Sequence, residues 1–164
     1  MADIMIRKRK RLRSKEVKAY SEEILNALGV ASFTPDDAVD LAESSEFNVI
    51  YVNGEILAIV YDGKTFLTVR GLLRYKPQMR FVTVDMGAVP YVTNGADIMA
   101  PGIVDADPGI KEGDMVWIRD IKNLVPLAVG ISSVPGDELK KGGKGKVIKT
   151  LHNVGDKLWR SDEK

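Results

Sequence analysis

The chain has 164 residues, 45% hydrophobic and 29% charged, with a formal net charge of +1 and no cysteine. That apolar content supports one domain or two small ones, and the missing cysteines exclude disulfide frameworks, cysteine zinc sites and thiolate catalysis. No apolar run approaches the roughly 20 residues of a membrane helix, and no apolar segment follows the basic start as in a secretion signal, so a cytoplasmic protein without cofactor or metal is expected.

The near-neutral total hides strong local charge. Arg7, Lys8, Arg9, Lys10, Arg11, Arg13, Lys15 and Lys18 crowd the start, and Lys140, Lys141, Lys144, Lys146, Lys149, Lys157 and Arg160 gather near the end. Asp36, Asp37, Asp40, Glu43 and Glu46 form an acidic zone in the first half. The basic start reads as a solvated arm or as an edge strand, since Ile4 and Ile6 lead into alternating Arg and Lys. Ser14 is placed to cap a helix whose face carries Val17, Tyr20, Ile24, Leu25 and Leu28, with Gly29 as its stop. Thr34-Pro35-Asp36-Asp37 reads as a second helix start, with Thr34 as cap, Pro35 in the first turn and Asp37 answering the exposed amides.

From Asn48 to Val69 the run NVIYVNGEILAIVYDGKTFLTV predicts a three-stranded antiparallel meander. Asn53-Gly54 and Asp62-Gly63 are type I′ hairpin signals between β-branched and aromatic runs. Residues 1–77 therefore read as an α+β unit. Beyond it the texture changes to short strands punctuated by Gly and Pro: RFVTVD, DIMAPGIV, DMVWIRD, PLAVGIS and KGKVIKTL. This spacing predicts a small, mostly-β barrel over residues 78–164, with one short helix between Gly87 and Gly95 and a turn or short helix between Gly136 and Gly143.

Several catalytic motifs fail on their chemistry. Gly145-Lys146 is followed by Val147 where a phosphate loop needs a Ser or Thr hydroxyl for magnesium. Gly142-Gly143-Lys144-Gly145 has the spacing of a KH loop, but a β-run follows where a helix is required. His152 is the lone histidine and reads as a structural or surface contact. Asp85, Asp97, Asp105 and Asp107 stand at turns and strand ends, where Asp caps and forms Asx-turns. No nucleophile, base and oxyanion site come together, so no catalytic residue is assigned.

One stretch is denser than any of these. VDMGAVPYVTNGADIMAPGI resembles the PUA domain, named for pseudouridine synthases and archaeosine transglycosylases. Gly113-Asp114-Met115-Val116 resembles its G-D-x-V strand, Pro126-Leu127-Ala128-Val129-Gly130 its P-x-A-x-G strand, and Lys144-Gly145-Lys146-Val147 the opening of its last strand. The first half, through Val52-Asn53-Gly54-Glu55, Thr68-Val69-Arg70 and Leu72-Leu73, is similar to the small domain that precedes PUA in a translation-associated group of archaeal and eukaryotic proteins. His152, Asp156, Leu158 and Trp159 fit that group's terminal H-x-x-x-D-x-L-W pattern, and the basic, cysteine-free start is more similar to the archaeal members.

The resemblance implies an α+β pre-PUA domain over 1–77 and a PUA pseudo-barrel over 78–164. It implies a non-catalytic RNA-binding protein that contacts tRNA, rRNA or the small ribosomal subunit in initiation or recycling. Eukaryotic members pair with density-regulated protein, so a translation-factor partner is implied as well; neither membrane nor DNA is expected. The RNA-docking surface would be Gly87, Ala88, Val89, Asn94, Gly95 and Ala96, where small residues admit a close approach and helix-start amides favour phosphate oxygens. Lys144, Lys146, Lys149 and Arg160 would add charge, and Tyr91 would offer either a stacking face or a core side chain. Two rivals stand beside this reading. One is an accessory role in tRNA or rRNA modification; the other is a protein-interaction adaptor docking through an acidic helix with Asp36, Asp37 and Asp40.

Overall fold

The structure, a computed structural model, describes residues 4–162. The chain divides at Pro77/Gln78 into two compact units, and the segment from Lys157 returns to the first of them.

The first unit holds a five-stranded antiparallel sheet in sequential order. Its strands are β1 (Arg7–Arg11), β2 (Val39–Glu43), β3 (Asn48–Val52), β4 (Glu55–Tyr61) and β5 (Lys64–Leu67). The expected meander is β3 to β5, and both of its turns take the left-handed backbone that the type I′ geometry requires, with Asn53 and Gly54 at φ 52° and 91° and Asp62 and Gly63 at 50° and 74°. Ile56, Leu57, Ala58 and Ile59 are all buried, so β4 is covered on both faces. Helix α1 (Ser14–Leu28) buries Val17, Ile24 and Leu28 and ends at Gly29, whose N–H bonds to Leu25 O. Its cap is Arg13, one residue before the expected Ser14; the Arg13 N–H donates to Glu16 Oε1 at 3.0 Å. Leu25 lies 47% exposed, off the buried face.

The helix expected at Thr34 does not form. Thr34 N–H donates to Asp37 Oδ2 at 2.9 Å and Asp36 N–H to Thr34 Oγ1 at 3.2 Å, so the capping pattern closes a turn. Asn53 then holds that turn against the first hairpin, accepting from Ala38 N–H and donating to Asp37 Oδ1. The residues that follow enter β2 because strands are available on both sides of them. The acidic docking helix therefore does not exist, and Asp40, only 8% exposed, is a strand residue facing arginines. The second helix comes later: α2 (Val69–Tyr75) is capped by Thr68, whose hydroxyl accepts from Gly71 N–H and donates to Ile56 O.

The last helix, α5 (Lys157–Ser161), belongs to this first unit and not to a domain spanning 78–164. The reason is local. Arg70 of α2 stacks over the Trp159 ring at 3.8 Å and donates to Trp159 O at 3.1 Å, while Ile56 N–H donates to Asp162 Oδ2 at 2.9 Å.

The second unit is a six-stranded sheet in the order β7-β11-β10-β9-β6-β8. Its strands are β6 (Phe81–Val84), β7 (Ile98–Met99), β8 (Ile103–Ala106), β9 (Met115–Asp120), β10 (Pro126–Ser132) and β11 (Lys146–Asn153). Short helices α3 (Val89–Thr93) and α4 (Gly136–Lys140) are inserted where glycines bracket the sequence. DIMAPGIV, expected as one strand, is two. A 3-10 turn at Ala100–Gly102 breaks it, so β7 and β8 lie at opposite ends of the strand order yet adjoin in the chain. A sheet whose two edges are joined by one tight turn is curled into a barrel, and this removes most of its free edge. Val82, Val84, Val92, Ile98, Ile103, Val116, Ile118 and Ile148 fill the interior.

Candidate nucleic-acid interface

A groove of about 270 Å³ opens beside α3 in the second unit. Its apolar lining comes from Gly87, Ala88, Tyr91, Met99, Pro101 and Gly102, and Asp85 and Asp97 stand at its rim. The groove exists because backbone approaches backbone: a Cβ built on Gly102 would sit 3.1 Å from the Ala88 Cβ, so a larger residue at either position would push α3 away. Asp85 sets the start of α3, accepting from Ala88 N–H at 2.9 Å, and its own N–H bonds to Gly102 O. The other end is held by Asn153, which donates to Thr93 O at 3.0 Å. There the chain reverses at Gly95, with φ +89°, a conformation costly for any residue with a Cβ.

The predicted surface residues divide around this groove. Gly87 and Ala88 line it. Val89 packs against the barrel interior, and Asn94, Gly95 and Ala96 form an exposed turn at the far end of α3. The expectation that helix-start amides stay open for phosphate fails: Ala88 N–H is taken by Asp85, Val89 N–H points to Met86 O, and Pro90 has none. Close approach rests on small residues alone. Tyr91 is 70% exposed, so it is not a core side chain.

The basic residues are brought together only in part. Lys146 opposes Met99 in the β7–β11 register and lies 3.5 Å from Asp97 Oδ2. Lys144 precedes Gly145, whose carbonyl accepts from Ala100 N–H, so the loop carrying Lys144 is tied to the groove's 3-10 turn. Lys149 lies farther along β11, exposed, on a second shallow groove of about 250 Å³ with Ile131, Ser133 and Lys146. Arg160 sits on α5 in the first unit.

Met99, Pro101, Gly102, Asp85, Asp97 and Asn153 were not assigned from the sequence as site residues. The legible signal for Met99 was an apolar residue between buried Ile98 and Ala100, and it stands 51% exposed. His152 is structural: it is buried, and its Nδ1 lies 2.8 Å from Asp156 Oδ2, which also accepts from Asn153 N–H. Asp107 is likewise a backbone clamp, accepting from Arg80 N–H and Gly109 N–H. Among the described residues no group of three or more His, Asp or Glu is placed to hold a metal, and no helix is long and apolar enough to cross a membrane.

The PUA-domain model matches residues 80–154, the barrel together with α3 and its groove. A domain of unknown function, DUF1947, matches residues 8–75, the first unit's sheet with α1 and α2. An uncharacterized protein of Methanocaldococcus jannaschii is 43% identical over 94% of this chain and 96% of its own length. The chain belongs to the family of PUA-domain proteins that carry DUF1947 before the PUA domain. Translation machinery-associated protein 20 of Saccharomyces cerevisiae is 28% identical over 90% of this chain and 84% of its own. The crystal structure of a hypothetical protein from Pyrococcus horikoshii superposes with a TM-score of 0.80 at 34% identity, covering 94% of this chain and 99% of that one. The archaeal sequence is the nearer of the two relatives, in keeping with the archaeal-like start.

Proposed function

We propose that this PUA protein is a non-catalytic RNA-binding factor of translation. It acts in the cytoplasm and docks tRNA or the small ribosomal subunit during initiation or recycling, with a translation factor as partner. The observation that carries the reading is the groove of small residues beside α3, two of whose lining residues, Met99 and Asp97, are respectively opposite Lys146 in the strand register and 3.5 Å from its ammonium. Structured RNA is recognised through shape, phosphates and 2′-hydroxyls, and unpaired bases through stacking. A cleft floored by Gly87, Ala88 and Gly102 lets a ribose or base come to van der Waals distance, and the open Tyr91 ring suits a stacked base. Asp97 is part-neutralised by Lys146 and by Thr150 N–H, so its charge opposes phosphate less than an isolated carboxylate would. The homology to translation machinery-associated protein 20 supports the translational setting.

The test is binding of the purified protein to total tRNA and to small-subunit particles across a salt series, beside Gly95→Glu with its fold checked by circular dichroism. Salt-weakened binding that falls at least tenfold in the variant is the expected result. No binding to either RNA would sink the reading and leave a protein-interaction adaptor. Modified nucleosides appearing in tRNA incubated with the protein would sink the non-catalytic part.

A further inference from the structure

The basic start, left open by the sequence between a solvated arm and a strand, is an ordered edge strand of the first unit. All five residues of β1 are exposed cations. β1 pairs only with β2, so among the described residues its outer edge is open. The pairing is irregular: Arg11 faces Asp40, Lys10 faces Leu41, and Arg7 faces Glu43, which leaves Lys8 and Arg9 opposite a single residue of β2. Lys8 takes φ 55° at this bulge. A bulge shifts the alternation of faces by one. Arg9 and Arg11 consequently share the face of Asp40 and Tyr51, while Arg7 and Lys10 fall on the opposite face.

The consequence is a pre-organised, under-neutralised ridge. Asp40 accepts from Arg9 Nε at 2.8 Å and Arg11 Nε at 2.5 Å, and Arg9 lies 3.7 Å over the Tyr51 ring. Burial alone would raise the Asp40 carboxyl, but the two arginine hydrogen bonds and charges outweigh it and hold the group below the usual range, so it stays ionised and keeps both arginines in place. Lys8 has only a loose contact, 3.8 Å from Glu43. Among the described residues, no acidic partner lies within salt-bridge distance of Arg7 or Lys10. Edge charges, lysine above all, and bulges discourage sheet-to-sheet pairing; β1 carries five exposed cations and a bulge.

We propose that β1 is a second RNA contact, a phosphate-binding ridge on the DUF1947 unit whose reaching cations are Arg7 and Lys10. The ligand is the phosphodiester backbone, because extended cations reach a run of charges without reading bases. From Arg7 to Arg11 the strand covers at most roughly 13 Å at about 3.3 Å per residue. The proposal rests on the RNA reading above but not on the groove.

The test uses the full chain, total tRNA and the slope of log affinity against log salt. Arg7→Ala and Lys10→Ala should each make the slope shallower by about 0.7 to 0.9, and the double variant by about 1.4 to 1.8. Lys111→Ala, an exposed cation on the other unit, should leave it unchanged. An unaltered slope in the double variant overturns the ridge, as it would if β1 served an acidic protein instead. Gly95→Glu separates the two readings. Lost binding there with an unaltered ridge slope keeps the groove and sinks the ridge; wild-type binding there with a shallower ridge slope does the reverse.

Discussion

The groove beside α3 and the strand β1 offer a nucleic acid opposite things. The groove is floored by Gly87, Ala88 and Gly102 and works by what it lacks: side chains that would hold a ligand off. β1 is five exposed cations on a bulged edge strand and works by charge reach. The groove's shape is set by a curled, packed sheet, where a shift of a few tenths of an ångström is felt throughout the interior. The ridge belongs to an open sheet edge and depends on one aspartate and one bulge. Contacts of the first kind are sensitive to volume and nearly blind to salt; those of the second are the reverse.

The comparison can be broken or sharpened by substitution. The largest effect is expected from Ile148→Ala, which removes a fully buried side chain paired with Ile98 beneath the groove. It should cost about 2–5 kcal/mol in urea unfolding of the second unit, and a loss of RNA affinity without a change of salt slope would show shape acting alone. Next, Gly102→Val should collide with Ala88 and fill the groove, lowering affinity at least tenfold (about 1.4 kcal/mol) while the slope stays as in the wild type. A slope change there would mean that the groove, too, works through phosphates.

On the ridge side, Asp40→Asn should cost about 1 kcal/mol at neutral pH, because its partners Arg9 and Arg11 are 46% and 65% exposed. The sign follows from the lowered carboxyl: its stabilisation is complete above the unfolded value, about 3.9, and is lost as pH falls through the lower folded value. Asp37, lowered by the Thr34 N–H bond and then by Asn53, adds to the same acid limb. Unfolding midpoints followed below pH 4 should therefore fall less steeply in Asp40→Asn than in the wild type. The smallest effect is expected from Lys146→Met, whose ammonium lies 3.5 Å from the groove's Asp97, where a slope shallower by about 0.7 to 0.9 would assign one phosphate to the groove and blur the division.

How far the sequence carried depended on the distance over which each signal acts. The two hairpins, α1 and the succession of barrel strands were legible because Asn-Gly, Asp-Gly, the Gly29 stop and the strand periodicity act within a few residues. The ordered PUA motifs marked the stretch that holds α3, Gly87 and Ala88. Other features waited on partners far along the chain. Thr34 to Asp37 carries a sound capping pattern, yet Asn53, 15 residues beyond Ala38, holds it as a turn before a strand. Asp40 looked like one member of an acidic face until Arg11, 29 residues away, was placed on it. DIMAPGIV reads as one strand because nothing local says that its halves pair at opposite ends of a sheet, and the exposure of Met99 and the approach of Gly102 to Ala88 follow from that closure. Arg160 was grouped with Lys144 by nearness in sequence, whereas the stacking of Trp159 on Arg70, 89 residues earlier, carries its helix into the first unit. Local backbone preference was written in neighbouring residues; which side chains meet was decided by strand pairing and burial, to which residues distant in the chain contribute equally.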